Sequence, residues 1–464
     1  MTHDATPRSA RHGSAAANIL LITADDMHGT TPGCFGGPAE ATPRLDRLAS
    51  QGTIFRRAHV PVAVCQPSRS ALLTGRWPHR NGAEGFQPIA DGVPLLTDVL
   101  RKAGYLAGIL GKVEHLQPTE RFGWDLRLGM RELGMGRGPA AYGRAAAEYF
   151  DRASRSGQPW FLMANAHDPH RPFHGSALEQ ERFSGAERAA IPAPSKVFAP
   201  GEEPVPGFLP DIEGVRTEYA EYLSSSRRCD DVAGAVLDAL DATGHADDTV
   251  VVFLSDNGMA FPFAKANCYL QSTLTPLIIR WPGVTRPRTA HDTGFVSTLD
   301  LFPTFCAAAG AVLPHGLDGR SLLPLLGGEQ QQDRDAVFTV FHETAAKNRF
   351  EMRCVQTAEF GYIRNYWSDG ETEYRAENMT GLSWNAMRAD PALAARVDFY
   401  LHRVPEELYD LHTDPSCLAN LAGNPGHAEI LARMRKLLAE WMTTTADPLG
   451  RHGPSVRVQR PTPE

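Results

Sequence analysis

The sequence lacks several features that would assign it to a specialised class of protein. It has no basic excess, because 46 lysines and arginines are opposed by 54 aspartates and glutamates, for a formal net charge of -8. This balance argues against general nucleic-acid binding and provides no long-range attraction for an anionic glycan. The seven cysteines are scattered without a CxxC pair, so they do not indicate a disulfide framework.

Long hydrophobic runs are also absent. No stretch approaches the roughly 20 apolar residues that a membrane-spanning helix requires, so we predict no membrane partner. Residues 1–17 lack the apolar centre of a secretory signal, and we expect a disordered N-terminal segment and a cytoplasmic protein. Residues 448–464 contain several prolines and arginines, which favours a flexible tail.

The segments that are present alternate between strand-like and helical patterns. Strands are predicted at 18–23, 104–110, 159–166 and 249–254, and helices at 42–51, 94–103, 143–155 and 217–243. This alternation predicts an α/β fold with a mostly parallel sheet sandwiched by helices. With 464 residues, the chain is long enough for a large domain and a smaller one.

A domain boundary is predicted at the polar run 330–332. The catalytic α/β domain would span 18–332, and a C-terminal α+β subdomain would span 333–447. In that subdomain, segments rich in β-formers precede an amphipathic helix at 430–441. A small antiparallel sheet with one packed helix is the simplest arrangement.

Two strand-like runs end in acidic residues. NILLITADD ends in Asp25 and Asp26, and TVVVFLSDNG ends in Asp256 and Asn257. The carboxyl ends of buried strands are the expected place for a site in an α/β protein. An all-oxygen set suits calcium or magnesium and is poor for zinc. The alternative is that these are solvated acids at loop starts.

The string CQPSRSALLTG at 65–75 carries a candidate nucleophile. Arg69 lies one helical turn beyond Cys65 and would share its face, where the guanidinium can hold an anionic oxygen. Pro67 and Ser68 fit the start of a helix, where exposed N–H groups favour anions. The alternative is a buried free thiol beside a surface charge.

Taken together, these motifs resemble the sulfatase family of the alkaline phosphatase-like superfamily. The string at 65–75 resembles the segment in which a cysteine is oxidised to formylglycine, and GKVEH at 111–115, AHDPHRPF at 166–173 and FPFAKANCY at 261–269 follow in order. The resemblance implies an alkaline phosphatase-like fold, a formylglycine-generating enzyme as maturation partner, and hydrolysis of a sulfated substrate. It also implies that calcium is bound by Asp25, Asp26, Asp256, Asn257 and the modified Cys65.

The resemblance also implies roles for the remaining site residues. Arg69 and Lys112 would stabilise the formylglycine oxygens, and His115 would assist the elimination that regenerates the aldehyde. His170 and Lys265 would bind sulfate and stabilise the leaving atom. GKVEH is one residue longer than the GKxH of many sulfatases and has the spacing of iduronate-2-sulfatase. The difference in length concerns the distance between Lys112 and His115, and therefore the role assigned to His115. Taken singly, Lys112 and Lys265 would be interpreted as surface lysines, and His115 and His170 as buried core histidines.

Further segments resemble the sulfamidase branch, which hydrolyses the N-sulfate of glucosamine. They include residues 205–231 and the HE that is followed by MR within 342–353. This likeness implies that His342 and Glu343 contact the sugar, and that Glu343 favours an amine-bearing glucosamine by its charge. Alternatively, the pair merely ends a strand at a domain interface.

The close alternative function is an O-sulfatase acting on a sulfated sugar or an aryl sulfate ester. A phosphonate or phosphate diesterase of the same fold and a non-catalytic sulfoglycan binder with unconverted Cys65 are further alternatives. The expected partners are therefore a small sulfated substrate and the maturation enzyme, with a homodimer as one option for assembly.

Overall fold

A computed structural model describes residues 16–451 of the chain. The strands are β1 Asn18–Ala24, β2 Thr53–Phe55, β3 Ala58–His59, β4 Leu106–Leu110, β5 Leu126–Leu128, β6 Trp160–Asn165, β7 Thr249–Ser255, β8 Leu277–Arg280, β9 Thr289–His291, β10 Val296–Ser297, β11 Ala336–Glu343, β12 Arg349–Thr357, β13 Phe360–Asn365 and β14 Glu406–Asp410. The α-helices are α1 Pro43–Ser50, α2 Cys65–Thr74, α3 Pro78–Asn81, α4 Leu96–Lys102, α5 Pro139–Ser156, α6 Ala177–Arg182, α7 Gly185–Ala190, α8 Glu213–Ala242, α9 Leu270–Thr273, α10 Leu301–Ala309, α11 Leu323–Leu326, α12 Leu382–Ala389, α13 Ala394–His402 and α14 Ala428–Thr444. Within residues 16–451, none of the helices combines the length and the apolar character needed to span a bilayer.

Eight strands form the large sheet, in the order β5-β4-β6-β1-β7-β8-β2-β9. The first five are parallel, β8 runs antiparallel to β7 and β2, and β9 is parallel to β2. The four strands predicted from the sequence are β4, β6, β1 and β7, which lie side by side in the sheet. The predicted α/β class with a mostly parallel sheet is therefore confirmed.

Strand β1 shows why both faces of the sheet are covered. Ile19 and Leu21 point into one hydrophobic core with residues of α2, α4 and α10, while Leu20 and Ile22 point into a second core with residues of α1, α5 and α8. All four side chains are fully buried. Because helices bury both faces, the chain can place polar groups of β1 only at its ends.

Four antiparallel strands form the small sheet, in the order β11-β12-β13-β14. Helix α14 packs Met434, Leu438 and Trp441 into the core beneath it, so the predicted antiparallel sheet with one packed helix is confirmed. The sheet also touches the catalytic region, since the backbone N–H of Val340 donates to the carbonyl of Pro61 over 2.8 Å. The domain boundary near residue 332 stays a prediction.

The connection from β13 to β14 has no counterpart in the sequence-based prediction. We call residues 366–405 the crossover segment; it contains α12 and α13. Glu218 of α8 accepts hydrogen bonds from the backbone N–H groups of Leu382 and Ser383 at 3.1 and 2.7 Å. This buried carboxylate ties the start of α12 to the catalytic region.

The two predicted terminal segments lie mostly outside the described residues. Ala17 donates its backbone N–H to the carbonyl of Ala308 at 3.2 Å, so the described end of the 1–17 segment is paired. Pro448–Arg451 forms a 3-10 helix with Leu449 buried. The flexible tail from residue 448 stays a prediction.

Candidate active site

The acidic residues lie at one edge of the large sheet. β1 and β7 are parallel neighbours with Ala24 opposite Ser255, so the residues that follow each strand meet. The backbone N–H of Asp26 donates to Asp256 Oδ1 at 3.1 Å, and Asn257 Nδ2 donates to Asp26 Oδ1 at 2.7 Å. The four predicted ligands, Asp25, Asp26, Asp256 and Asn257, are all brought together and buried.

Cys65 is the first residue of α2, and it points at these acids. Val64 before it is extended, so the chain turns into the helix at the site itself. The Cys65 Sγ lies 3.3 Å from Asp25 Oδ1, 3.9 Å from Asp26 Oδ1 and 3.1 Å from Lys265 Nζ. Ligand atoms of Asp25, Asp26, Cys65 and Asp256 all lie within 4.8 Å of one another, which is a spacing that one cation can bridge.

The charges of this group fit a divalent cation. Burial, together with the nearby Asp25 and Asp26, raises the pKa of Asp256 to about 7, although Arg69 opposes the rise. Asn257 Oδ1 is buried and has no hydrogen-bond partner within residues 16–451. Crowded carboxylates and an unused amide oxygen are both satisfied by a hard cation, and oxygen donors suit calcium or magnesium.

The thiol of Cys65 is poorly suited to react as it stands. Burial raises the pKa of Cys65 well above its usual value, and the negative charge of Asp25 raises it further, while Lys265 lowers it. A thiol, unlike a thiolate, is a weak nucleophile and a weak metal ligand. The Cys65 thiol therefore lies where a nucleophile or metal ligand is expected, but the unmodified thiol is weak in both roles.

Arg69 lies one turn along α2 and is fixed on several sides. Its Nε donates to Asp256 Oδ2 at 2.9 Å, and its NH1 group donates to Thr23 Oγ1 at 3.0 Å and to Asn165 Oδ1 at 2.6 Å. Thr23 and Asn165 lie near the ends of neighbouring strands. The guanidinium is therefore buried, paired and unable to reorient, which suits a preorganised positive charge.

Lys112 and Lys265 pair with the two adjacent aspartates. Lys112 Nζ forms an ion pair with Asp25 Oδ2, and Lys265 Nζ donates to Asp26 Oδ1 at 2.6 Å. Burial raises the pKa of Asp25, but Lys112 and its cationic neighbours hold it well below its ordinary value. Asp25 is thus kept ionised inside the protein.

The backbone of Lys112 is itself held in place by a histidine. Lys112 has a φ of 55°, in the left-handed region that non-glycine residues rarely adopt. His167 Nε2 lies 3.2 Å from the backbone N–H of Lys112 and accepts its hydrogen bond. Burial and then the charge of Lys112 hold the pKa of His167 well below its ordinary value, so its ring is neutral and can accept.

His115 and His170 occupy two sides of the group. His115 ends a 3-10 turn at Val113–His115, and its Nδ1 is buried with no hydrogen-bond partner in the described part of the chain. His170 Nε2 lies 3.9 Å from Asp26 Oδ2 and is partly exposed. All six residues predicted to be catalytic are therefore placed around the acids; the roles assigned to them stay predictions.

A cavity of about 200 Å³ lies beside the acids and is lined by Asp26, His170 and Lys265. Its lining also includes Glu377 and Thr380 of the crossover segment. Neither residue was predicted from the sequence, because both lie in a connection that carries no motif or periodic pattern.

His342 and Glu343 do not line this cavity. Both are buried at the end of β11, where Glu343 Oε1 accepts a hydrogen bond from Gln87 Nε2 at 2.6 Å. The carbonyl of Gln87 in turn accepts from Gln66 Nε2 at 3.1 Å, one residue beyond Cys65. The pair is therefore linked to the catalytic helix through residues 84–87, which we call the Gln87 loop, and its predicted contact with the sugar stays a prediction.

Comparison with known proteins matches two family models to the chain. The model described as Sulfatase matches residues 17–311, and the model described as N-sulphoglucosamine sulphohydrolase, C-terminal, matches residues 260–380. The second model includes Lys265, His342, Glu343 and Glu377.

Individual relatives agree with these models. The chain is 31% identical to human N-sulphoglucosamine sulphohydrolase, over 93% of this chain and 91% of that protein, and 30% identical to human arylsulfatase A, over 90% and 86%. A crystal structure from Bacteroides thetaiotaomicron described as a sulfatase superposes with a TM-score of 0.73 at 22% identity, covering 96% of each chain. These matches agree with the position of the acids, Cys65 and the cationic side chains of Arg69, Lys112 and Lys265 at one edge of the sheet. They show that the chain belongs to the sulfatase family.

Proposed function

We propose that this sulfatase hydrolyses the N-sulfate of a glucosamine unit, using a formylglycine made from Cys65 and a bound calcium ion. The observation that carries the proposal is the position of Cys65 Sγ, 3.3 Å from Asp25 and 3.1 Å from Lys265 at the start of α2. The preference for an N-sulfate is supported by the similarity to N-sulphoglucosamine sulphohydrolase and to its C-terminal family model.

The charge balance of the site supports an anionic substrate. A bound cation favours the ionised form of Asp256, and Asp25, Asp26 and Asp256 are then opposed by Arg69, Lys112 and Lys265, so that three negative and three positive side chains cancel. A divalent cation held by the acids leaves a surplus of positive charge in the site. Such a surplus attracts and neutralises a sulfate group even though the whole protein carries a net charge of -8.

The reaction breaks an S–N bond and adds the elements of water, which releases sulfate and an amine that takes up a proton. When present, formylglycine and calcium supply an oxygen nucleophile and a centre of positive charge. Arg69 and Lys112 hold positive charge beside position 65. Lys265 faces the cavity and binds a sulfate oxygen. The Nδ1–H of His170 donates to the carbonyl of Arg171 at 2.5 Å, and burial lowers the pKa of His170 to about 4, so its Nε2 must first take up a proton before it passes one to the leaving nitrogen.

The second candidate is hydrolysis of a sulfate ester. The 30% identity to arylsulfatase A favours it, and every role above is unchanged except that the leaving atom is oxygen. The two functions differ only in what occupies the cavity beyond the sulfate, so the nucleophile and the cation do not separate them.

The test compares sulfate release from an N-sulfated glucosaminide, a 6-O-sulfated N-acetylglucosaminide and an aryl sulfate, with calcium present. The protein is first checked by peptide mass spectrometry for conversion of Cys65, and Cys65→Ala serves as the background control. Higher kcat/KM on the N-sulfated sugar supports the proposal. Preference for either ester assigns the enzyme to the O-sulfatases, and a persistent cysteine in protein from the native host contradicts the nucleophile.

A further inference from the structure

The cavity beyond the sulfate-binding groups has a size that limits its occupant. Its volume of about 200 Å³ is below the roughly 300–1,000 Å³ typical of sites for drug-sized ligands. Lys265, His170 and Glu377 all line it. One small unit, such as a single sugar ring attached to the sulfate, matches this space.

Glu377 is the acidic residue that the crossover segment adds to the lining of that cavity. Its Oε2 atom is buried and has no hydrogen-bond partner among the residues that the structure describes. Because that oxygen is covered, a ligand in the cavity reaches the carboxylate at its other oxygen, and a carboxylate without a side-chain partner within residues 16–451 is free to accept such a bond. The cations of the site bind the sulfate group, so Glu377 is available for a different part of the substrate.

The position of Glu377 is fixed relative to Lys265. Asn378, the next residue, is fully buried and donates from Nδ2 to the carbonyl of Lys265 and to Tyr400 Oη at 2.7 Å. Thr380 Oγ1 donates to the carbonyl of Glu377 at 2.7 Å. The hydroxyl of Tyr374 donates to the carbonyl of Ala266. The turn that carries Glu377 is thus bonded to the backbone of the loop that carries Lys265.

We propose that Glu377 is a specificity-determining residue, which accepts hydrogen bonds from the N–H or O–H groups of the sugar unit whose sulfate is bound by Lys265 and His170. The inference rests on the proposed function and deepens it, because it names the part of the substrate that the crossover segment recognises. An aryl sulfate has no such donors beside its sulfate. Glu377 therefore raises the preference for sulfated sugars over aryl sulfates.

The test measures a specificity ratio. Glu377→Gln keeps the size of the side chain and removes its charge, and Glu373→Gln is the matched control, since Glu373 is exposed and pairs with Arg375. Glu377→Gln is expected to lower kcat/KM for glucosamine N-sulfate on the order of 10- to 100-fold more than for 4-nitrophenyl sulfate. Glu373→Gln should leave the ratio at the wild-type value.

Binding of the desulfated product provides a second readout that does not require turnover. Calorimetric titration with glucosamine and with methyl glucoside compares wild type with Glu377→Gln, and inorganic sulfate is titrated as a reference. Weaker glucosamine binding with unchanged sulfate binding supports the inference. Loss for glucosamine alone identifies an ammonium donor, and loss for both ligands identifies hydroxyl donors.

Two results would overturn the inference. One is an equal loss on the sugar and the aryl substrate, which would mean that Glu377 acts through Lys265. The other is unchanged glucosamine and glucoside binding in Glu377→Gln. Failure of the proposed function is distinguishable, because it appears in wild type as absence of sulfate release, whereas the titrations still report on Glu377.

Discussion

The two walls of the cavity are built in different ways. The wall that bears Asp26 and Lys265 consists of the residues after β1 and the loop after β7, and its charges are paired over distances such as 2.6 Å. The wall that bears Glu377 is one 3-10 turn of the crossover segment, and its carboxylate has an oxygen without a partner in the described residues. The groups for chemistry are therefore fixed by paired charges, whereas the group for recognition has an oxygen without a partner in the described residues.

This difference follows from what each wall must do. Charges that stabilise a reaction must not move, so Arg69 is held by Asp256, Thr23 and Asn165 at once. Recognition of a particular sugar needs only an acceptor at the right distance from the sulfate, which a connection can carry without changing the sheet. We therefore expect changes in the first wall to affect every substrate and changes in the second to affect some of them.

The largest effect is expected on the scaffold wall at position 65. Cys65→Ala removes the source of the nucleophile and should lower turnover on the order of 10⁴-fold or more for all sulfated substrates. The melting temperature should stay near the wild-type value, as measured by circular dichroism. Cys34→Ala, at a half-buried cysteine that is not among the site residues, is the control. Retained activity of Cys65→Ala in protein free of contaminating sulfatase would show that the nucleophile is misassigned.

The next effect is expected from removal of the metal. Dialysis against a chelator should lower activity on the order of 10²-fold or more for sugar and aryl substrates alike, and calcium should restore it. Added calcium should also raise the melting temperature of the dialysed protein, because ligands that bind the native state stabilise it.

The variant Asn257→Ala is expected to reduce that calcium-dependent rise, since it removes an unused oxygen ligand. Differential scanning calorimetry with and without calcium measures the rise. Full activity and an unchanged melting temperature after chelation would contradict the prediction that the protein binds a metal ion.

A smaller effect is expected at Glu343, and it tests whether this residue at the end of β11 also contributes to substrate recognition. If Glu343 attracts an amine-bearing sugar, Glu343→Gln should raise KM for glucosamine N-sulfate about 10-fold and leave KM for an aryl sulfate unchanged. Gln87→Ala is the companion variant, because Gln87 donates to Glu343 at 2.6 Å. A lower melting temperature without a change in either KM would instead identify Glu343 as an interface residue.

The smallest effect on activity is expected at Asn378, which joins the two walls. Asn378→Ala removes buried hydrogen bonds to Lys265 and Tyr400, and it should lower the free energy of unfolding by about 1–3 kcal/mol. Urea denaturation measures this loss. Asn385→Ala, on the exposed side of α12, should change stability by less than about 0.5 kcal/mol. Equal stability of the two variants would mean that the crossover segment is not anchored through Asn378.

Much of the site could be predicted because its residues stand at recognisable places in regular structure. Asp25 and Asp256 follow apolar runs that form β1 and β7, and the parallel pairing of those strands brings the two acids together. Cys65 and Arg69 are one turn apart on α2, so local spacing alone placed them on one face. Glu377 has no such position, since it follows no strand and lies in no periodic segment.

The Gln87 loop illustrates the same limit for residues that were predicted. Glu343 was selected by resemblance, but its hydrogen bond to Gln87, and the bond from Gln66 to the Gln87 carbonyl, join residues far apart in the chain. Nothing in the local pattern of 84–87 indicates these partners. Only packing of β11 against the catalytic region determines them.

The sequence by itself determined the α/β class, the central strands, the acids at their ends and the position of Cys65 at a helix start, because each depends on a short local pattern. The tertiary structure alone decided that Glu377 lines the same small cavity as Lys265 and that Glu343 accepts a hydrogen bond from Gln87. The physical reason is that these contacts depend on how distant segments pack, which is set by buried bonds such as those from Asn378 to Lys265 and from Ser383 to Glu218.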